Sequence, residues 1–124
     1  MKRLSILLVF VSLIAISCSE DLDPQCGVGN VVSDLPWLVE LIEVEESSEI
    51  GGIYSYLQRG TYTTALKSET VFVFQNCCPS CAMLPPLIYD CNGQELGRMG
   101  ESIQWENIKD MEVVWKSSRN TCPI

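Results

Sequence analysis

Val71-Phe72-Val73-Phe74-Gln75 is the most apolar run in the second half of the chain, and Asn76-Cys77-Cys78-Pro79-Ser80-Cys81 follows it directly. Four successive apolar residues with high β-propensity, bounded by polar ones, predict a buried central strand. The proline and cysteines after it predict a tight loop. Because a central strand needs partners on both sides, the flanking segments decide the fold class.

Both flanks contain segments rich in β-branched and aromatic residues. With the central run, the predicted strands cover residues 53–58, 61–66, 71–75, 87–90, 94–96 and 111–116. Arg59-Gly60 is interpreted as a turn between the first two, and Asn92-Gly93 as a strong hairpin signal. A short helical turn is predicted within residues 102–109. Four to five of these six candidate segments are predicted to pair in one antiparallel sheet.

One amphipathic helix is predicted before the sheet. Ser33 or Asp34 can cap it, and Pro36 suits its first turn because no amide hydrogen is needed there. Its apolar residues are Trp37, Leu38, Leu41, Ile42 and Val44, and the glutamates between them face outward until an end near Ser47. The expected fold is therefore α+β, with the helix packed on one face of a disulfide-stapled sheet over residues 34–124.

The N-terminus has the pattern of a secretory leader. Met1-Lys2-Arg3 precedes an apolar run from Leu4 to Ile16, which is too short to span a bilayer. Ala15-Ile16-Ser17-Cys18 resembles a lipobox, in which the cysteine thiol receives diacylglycerol and becomes the new N-terminus. Residues 1–17 are thus predicted to be a lipoprotein signal peptide, and Cys18 to carry the fatty acyl anchor, palmitate included. The alternative is an ordinary cysteine beside a soluble-secretion cleavage site.

Residues 18–33 are interpreted as the lipidated cysteine and a flexible acidic tether. Ser19-Glu20-Asp21-Leu22-Asp23 resembles the surface-export signal of lipoproteins from the Bacteroidota. Acidic runs are also common as plain solvated linkers. The expected location is the cell envelope, at the outer membrane, and this segment is compatible with both surface display and the periplasmic face.

Charge and composition exclude several classes of function. Loss of Lys2 and Arg3 from the eight basic residues leaves six against 16 acidic ones, a net charge of −10. Nucleic acid, which requires a basic patch, is therefore not expected as a partner. The chain contains no histidine, the usual general base and metal ligand near neutral pH. We expect no cofactor, no metal site and no catalytic residues.

The cysteine count supports a stapled domain. With Cys18 set aside, six cysteines remain, an even number typical of disulfides in a small exported protein. They are Cys26, Cys77, Cys78, Cys81, Cys91 and Cys122. The adjacent Cys77 and Cys78 should reach different partners because neighbouring side chains of an extended chain point to opposite faces. Fifteen pairings are possible, and bridges from the two ends, directly or through the central cluster, would close large loops.

Cys78-Pro79-Ser80-Cys81 is a Cys-x-x-Cys motif, so redox chemistry has to be weighed against structural bridging. A redox pair is normally followed by a helix whose N-terminus lowers the thiol pKa. Pro85 and Pro86 would stop such a helix within a turn. Zinc binding by Cys77, Cys78, Cys81 and Cys91 is disfavoured because a structural zinc site usually pairs two Cys-x-x-Cys units. Structural disulfides are the favoured interpretation.

Several short motifs, taken in order, resemble a family of small lipoproteins without an assigned activity, mainly from Bacteroidota. The motifs are Leu35-Pro36-Trp37-Leu38, the tyrosine-rich stretch from Tyr54 to Tyr62, Cys77-Cys78, Leu87-Ile88-Tyr89-Asp90-Cys91-Asn92-Gly93 and Trp115-Lys116-Ser117-Ser118-Arg119. Relatives often carry a glycine- and aspartate-rich loop after the hairpin, whereas residues 96–101 here are shorter and less acidic. The resemblance implies no activity.

The resulting functional expectation is a non-catalytic binding module, anchored to the membrane through its lipid, with a protein or small-molecule ligand. Tyr54 and Tyr56, which would share a strand face, are the candidates for an exposed binding patch. One alternative is a thiol–disulfide oxidoreductase using Cys78 and Cys81. Another is an inhibitor of an envelope or host protease, by analogy of architecture.

Overall fold

The computed structural model describes residues 26–124, and the predicted leader, Cys18 and residues 19–25 of the predicted acidic tether lie outside them. The described chain is α+β, as expected, with helices packed against an open antiparallel sheet. The helices are α1 (Val31–Asp34), α2 (Pro36–Ser47) and α3 (Glu49–Tyr54), and a 3-10 turn covers Trp105–Asn107. The strands are β1 (Ser55–Thr63), β2 (Ser68–Asn76), β3 (Leu87–Tyr89), β4 (Glu95–Arg98) and β5 (Ile108–Lys116).

The central position predicted for residues 71–75 is confirmed. The five strands lie in the order β4-β3-β2-β1-β5, so β2 has two strands on each side. Both of its faces are buried, which explains its unbroken apolar run. Val71 and Val73 pack with Ile88, Met99 and Ile103 on one face. On the other face Phe72 packs with Val31 of α1, Leu38 of α2 and Leu35 between the two helices.

The helical region differs from the single helix that was predicted. Asn30 caps α1 by accepting a hydrogen bond from the Val32 amide (3.0 Å). Pro36 holds Leu35 in an extended conformation (φ −105°, ψ 104°), which separates α1 from α2. Leu35, rather than Ser33 or Asp34, is therefore the N-cap residue of α2, and it provides no side-chain cap. The end at Ser47 agrees with the prediction.

A third helix occupies the segment where the first strand was expected to begin. Ser48 caps α3 by accepting from the Gly51 amide (2.9 Å). Gly51 and Gly52 lie inside α3, where a Cβ on Gly51 would sit 2.5 Å from the Glu45 carbonyl oxygen. The two glycines thus permit close packing of α3 against α2, and the strand begins only at Ser55.

The turn predicted at Arg59-Gly60 is wrong. β1 runs through both residues, and Gly60 pairs with Val71 of β2. A Cβ at Gly60 would lie 2.7 Å from Ile108 Cγ2, so glycine is needed for close approach of β5. The chain reverses at Thr64–Lys67 instead, where the Thr64 hydroxyl accepts from the Leu66 amide (3.2 Å).

The Asn92-Gly93 hairpin is confirmed. The Asp90 amide donates to Gln94, and the Asp90 carboxylate accepts from the amides of Asn92 (2.8 Å) and Gln94 (3.0 Å). Gly93 takes the left-handed conformation (φ +79°), which completes a three-residue loop. The predicted last strand lies within β5, and the predicted helical turn is the 3-10 turn before it.

The free edge of β5 is irregular. Its pairing with β1 shifts register between Leu57 and Gln58 and again between Arg59 and Thr61. Asp110, within the second shift, has φ +53°. Arg59 and Glu112 form an ion pair across the two strands. These features are those of a bulged, charged edge strand.

Three disulfides brace the described chain. Cys26 is bonded to Cys91, Cys77 to Cys122, and Cys78 to Cys81, with Cα–Cα distances of 5.5, 5.9 and 5.5 Å. Cys77 and Cys78 have different partners, as expected, and both chain ends are bridged through the central region. The packed body also begins before residue 34, because Cys26 is bonded and Val31 is buried. Within residues 26–124, none of the helices has the length and apolar content needed to cross a bilayer.

Candidate functional site

A groove opens where β2 extends beyond β3. Only Phe72 and Val73 of β2 pair with β3, so Phe74 to Asn76 have no β3 partner. The segment 77–86 leaves the end of β2 and returns to start β3, passing beside α2. The space between this segment, α2 and the sheet is a cavity of about 460 Å³. Its size falls within the usual range of small-ligand sites, roughly 300–1,000 Å³.

The walls of the groove are mainly apolar and unusually exposed. Val44 of α2 is 63% exposed, and Met83 and Leu84 of the facing segment are 56% and 73% exposed. The remaining apolar and aromatic lining residues are Leu41, Phe74, Ala82, Pro85, Pro86, Leu87 and Tyr89. Clustered exposed apolar side chains that border a concave surface are typical of binding sites. Methionine also adapts to ligands of different shape because its side chain is flexible and polarizable.

The polar lining residues are held by the fold. The Glu45 carboxylate accepts a hydrogen bond from the buried Ser55 hydroxyl (2.8 Å). The Arg98 guanidinium donates to the Pro85 carbonyl (2.6 Å), which ties the facing segment to β4. Gln75 and Asn76 supply amide groups at the end of β2. The groove is thus an apolar trough with one fixed carboxylate and one fixed guanidinium.

Tyr89 lies at the sheet side of the groove. Burial raises the pKa of Tyr89 above its ordinary value of 10.0; the charges of Glu95 and Glu45 raise it further, and Arg98 acts in the opposite direction. The phenol is therefore neutral throughout the physiological pH range. Its ring stacks at a tilt on Trp37, with centroids 5.7 Å apart, so α2 and β3 are locked together at this end.

The Cys78–Cys81 disulfide lies at the start of the segment that forms the outer wall. Pro79 and Ser80 between the two cysteines are exposed, while the cysteines themselves are half-buried. No helix follows: residues 81–86 are neither helix nor strand. The arrangement lacks the helix N-terminus that lowers a thiol pKa in redox pairs. Cys77, Cys78, Cys81 and Cys91 belong to three different disulfides, so they do not form a thiolate set for zinc.

The predicted tyrosine patch is not a shared strand face. Tyr54 is the last residue of α3, and only Tyr56 lies in β1, where it pairs with Gln75 and Lys116. Both tyrosines are half-buried. Cys18, the predicted lipidation site, lies outside the described residues, and the six other cysteines are all bridged.

Sequence reasoning missed the groove. Leu41 belongs to the apolar face predicted for the helix and Val44 flanks it, yet Val44 is mostly exposed. One signal for it was available in the stretch from Cys77 to Pro86. Its ten residues are long for a connection in a compact domain, and they include Met83 and Leu84 between prolines at 79 and 85–86.

Comparisons with protein-family models, with curated proteins and with solved structures find no match to this chain. The resemblance to small Bacteroidota-type lipoproteins therefore stays a prediction from the motifs.

Proposed function

We propose that this chain is a lipid-anchored, non-catalytic binding module of the cell envelope, and that its ligand occupies the groove beside α2. The observation that carries the proposal is the exposure of Val44, Met83 and Leu84 on facing walls of one cavity. Exposing these side chains costs hydrophobic stabilisation that a ligand would restore. A domain of about 100 residues has only a modest core, so the three disulfides supply much of its rigidity.

The position of the N-terminus fits display of the groove. The first described residue, Cys26, is bonded to Cys91, which follows the end of β3. The exposed residues Val44 and Met83 lie instead toward the end of α2 and before the start of β3. A lipid on Cys18 would therefore be joined, through residues 19–25, to the Cys26–Cys91 bridge, whose cysteines do not line the groove.

Photo-crosslinking in intact cells tests binding at the groove. A photoreactive amino acid placed at Met83 should give a crosslinked adduct, because its side chain would contact the ligand. The matched control is the same substitution at Leu66, which is 95% exposed at the β1–β2 turn, away from the groove. Adducts from position 66 but not from position 83 would reject the groove as the binding site.

The anchor is tested separately by the intact mass of the protein isolated from the envelope. We expect the mass of a chain that starts at Cys18 with diacylglycerol and an acyl chain, and with six fewer hydrogens because of three disulfides. Cys18→Ala should abolish the lipid adduct and release the protein from the membrane fraction. An unmodified Cys18 in envelope material would contradict the lipoprotein assignment.

An oxidoreductase that uses Cys78 and Cys81 is the second candidate, and the exposure of Pro79 and Ser80 favours it because a substrate could approach the bond. Such activity needs a readily reducible disulfide. Equilibration of the native protein with glutathione buffers, followed by alkylation and mass analysis, measures its potential. Reduction of Cys78–Cys81 at the glutathione poise would favour the oxidoreductase, and resistance would favour a structural bridge.

A further inference from the structure

We infer that the ligand of the groove is a basic peptide segment that inserts an apolar side chain between α2 and the Ala82–Pro86 wall. This inference rests on the proposed function, because it names the chemical class of ligand for the same groove. It combines three observations: an apolar cavity, an acidic helix along one rim, and cations that are already engaged elsewhere.

The apolar part of the groove selects a side chain rather than a fully polar ligand. Val44 lies on α2, and Met83 and Leu84 lie on the opposite wall, so an inserted group would contact apolar atoms on both sides. Phe74 and Leu87 form the floor on the sheet. Burial of these surfaces would stabilise the complex with any ligand side chain of sufficient apolar area, because the hydrophobic contribution depends on area and not on the identity of the side chain.

The helix beside the cavity is strongly acidic. α2 contains four glutamates and no lysine or arginine, and its last turn has no basic residue. Glu40 precedes Val44 by one helical turn, so the two share a side of the helix, and Glu45 lines the groove itself. The partial negative charge at the C-terminal end of α2 adds to this field. Glutamates in that position do not stabilise the helix, but they attract a cationic partner.

The cations near the groove already have partners. Arg98, the one basic lining residue, donates to the Pro85 carbonyl. Arg119, near the end of α2, donates to the Glu46 carbonyl (2.8 Å). These bonds hold both guanidinium groups, which stay charged, against the backbone, whereas the exposed Glu40 on the α2 rim is in no ion pair with another described residue.

Charge also favours a basic peptide over two other possible occupants of the groove. A second copy of the mature chain, with six basic and 16 acidic residues, would bring another net charge of −10, and like charges disfavour association. The segment Ser19–Asp23 of the same chain carries three acidic residues. Neither the second copy nor this acidic segment has a charge opposite to that of α2.

Fluorescence anisotropy with the full chain in phosphatidylcholine nanodiscs tests the inference, with empty nanodiscs as the reference. The probe is an alternating lysine–leucine heptapeptide with a neutral fluorophore. Two matched peptides replace every lysine by glutamate or every leucine by serine. We expect each replacement to weaken binding by about tenfold or more. Raising the ionic strength from about 0.01 M to about 0.15 M, which shortens the screening length from about 30 Å to about 8 Å, should weaken binding of the lysine–leucine peptide.

Variants of the chain locate the contacts. Val44→Ser and Met83→Ser should each weaken binding by several-fold to about tenfold, since they remove apolar area at exposed positions. Leu66→Ser is the control for loss of an exposed apolar residue. Glu40→Gln should weaken binding by about two- to fivefold, while Glu106→Gln, an exposed glutamate on the 3-10 turn, should not change it.

The outcomes separate the inference from the proposed function. If the glutamate–leucine peptide binds as tightly as the lysine–leucine peptide, or if Glu40→Gln changes nothing, the ligand is not basic. If the lysine–serine peptide binds equally well, the apolar side chain is not used. A dimer that Val44→Ser abolishes, or a fatty acid that co-purifies with the groove, also overturns the inference. When crosslinking from position 83 fails as well, the proposed function itself is rejected.

Discussion

The indole N–H of Trp37 donates a hydrogen bond of 2.9 Å to the carbonyl oxygen of Cys91. This bond joins the first turn of α2 to the β3–β4 loop, and Cys91 is itself bonded to Cys26. The Trp37 ring also meets Phe72 edge to face, with centroids 5.7 Å apart. One side chain thus connects the helix, the central strand, the hairpin and the N-terminal bridge.

Trp37→Phe should lower the free energy of unfolding by about 1–3 kcal/mol, because it leaves the Cys91 carbonyl without its donor. Trp105→Phe, at a site that is 48% exposed, should change it by less than about 0.5 kcal/mol. Guanidinium denaturation of the oxidised protein measures both. Equal losses in the two variants would show that the hydrogen bond to Cys91 contributes nothing.

Gly93→Ala should destabilise the protein for two reasons that a second variant separates. Gly93 has φ +79°, and a Cβ there would lie 2.7 Å from Trp37 Cδ2. Gly100 has a similar φ of +82°, with no atom within 4 Å of its Cβ position. Gly100→Ala should therefore cost about 1–2 kcal/mol from backbone strain alone. Gly93→Ala should cost more in the same denaturation assay, and the excess reports the contact with Trp37.

Removing the disulfides should have unequal effects. Cys26–Cys91 spans 65 residues, and Cys78–Cys81 spans three. The chain-entropy model assigns about 4 kcal/mol to the long loop and less than about 2 kcal/mol to the short one. Thermal unfolding of the Cys26→Ser/Cys91→Ser and Cys78→Ser/Cys81→Ser double variants measures the difference. A larger loss from the short bridge would indicate that it stabilises the native groove wall beyond its effect on the unfolded chain.

Tyr89 should titrate above the ordinary range of a tyrosine, since burial and the charge of Glu95 raise its pKa above 10.0. Below pH 10 its phenol is protonated in both the folded and the unfolded chain. Above pH 10 the unfolded chain loses this proton first, so the free energy of unfolding falls as the pH rises through the folded pKa. The phenolate absorbance should show a late component that Tyr89→Phe removes.

Local patterns predicted the parts of the fold that depend on neighbours in sequence. The unbroken apolar run within Val71–Gln75 is typical of a strand that is buried on both faces. Asn92-Gly93 favours a tight turn by its own backbone preferences. Gly60 misled the prediction because Arg59-Gly60 was interpreted as a turn. It instead lies within β1, where Ile108 of β5 approaches closely, while Gly51 and Gly52 lie within α3 against Glu45 and Arg119.

The groove was beyond reach of a sequence pattern because its walls come from separate parts of the chain. Val44, Met83 and Arg98 lie far apart in the sequence. They meet at the groove because β3 is shorter than β2, which the sequence does not show. The disulfide pairing has the same origin: it depends on which loops share an end of the sheet. The odd cysteine count, by contrast, was enough to expect six bridged cysteines in the mature domain.

The irregular edge at β5 bears on the membrane anchoring that we propose. Anchored molecules diffuse in two dimensions, so their encounters are frequent and their orientations are similar. A straight outer strand would then offer a template for stacking into fibres. The register shifts and the charges of Lys109, Asp110 and Glu112 disfavour such stacking, so copies anchored as proposed would share one membrane patch while each stays separate.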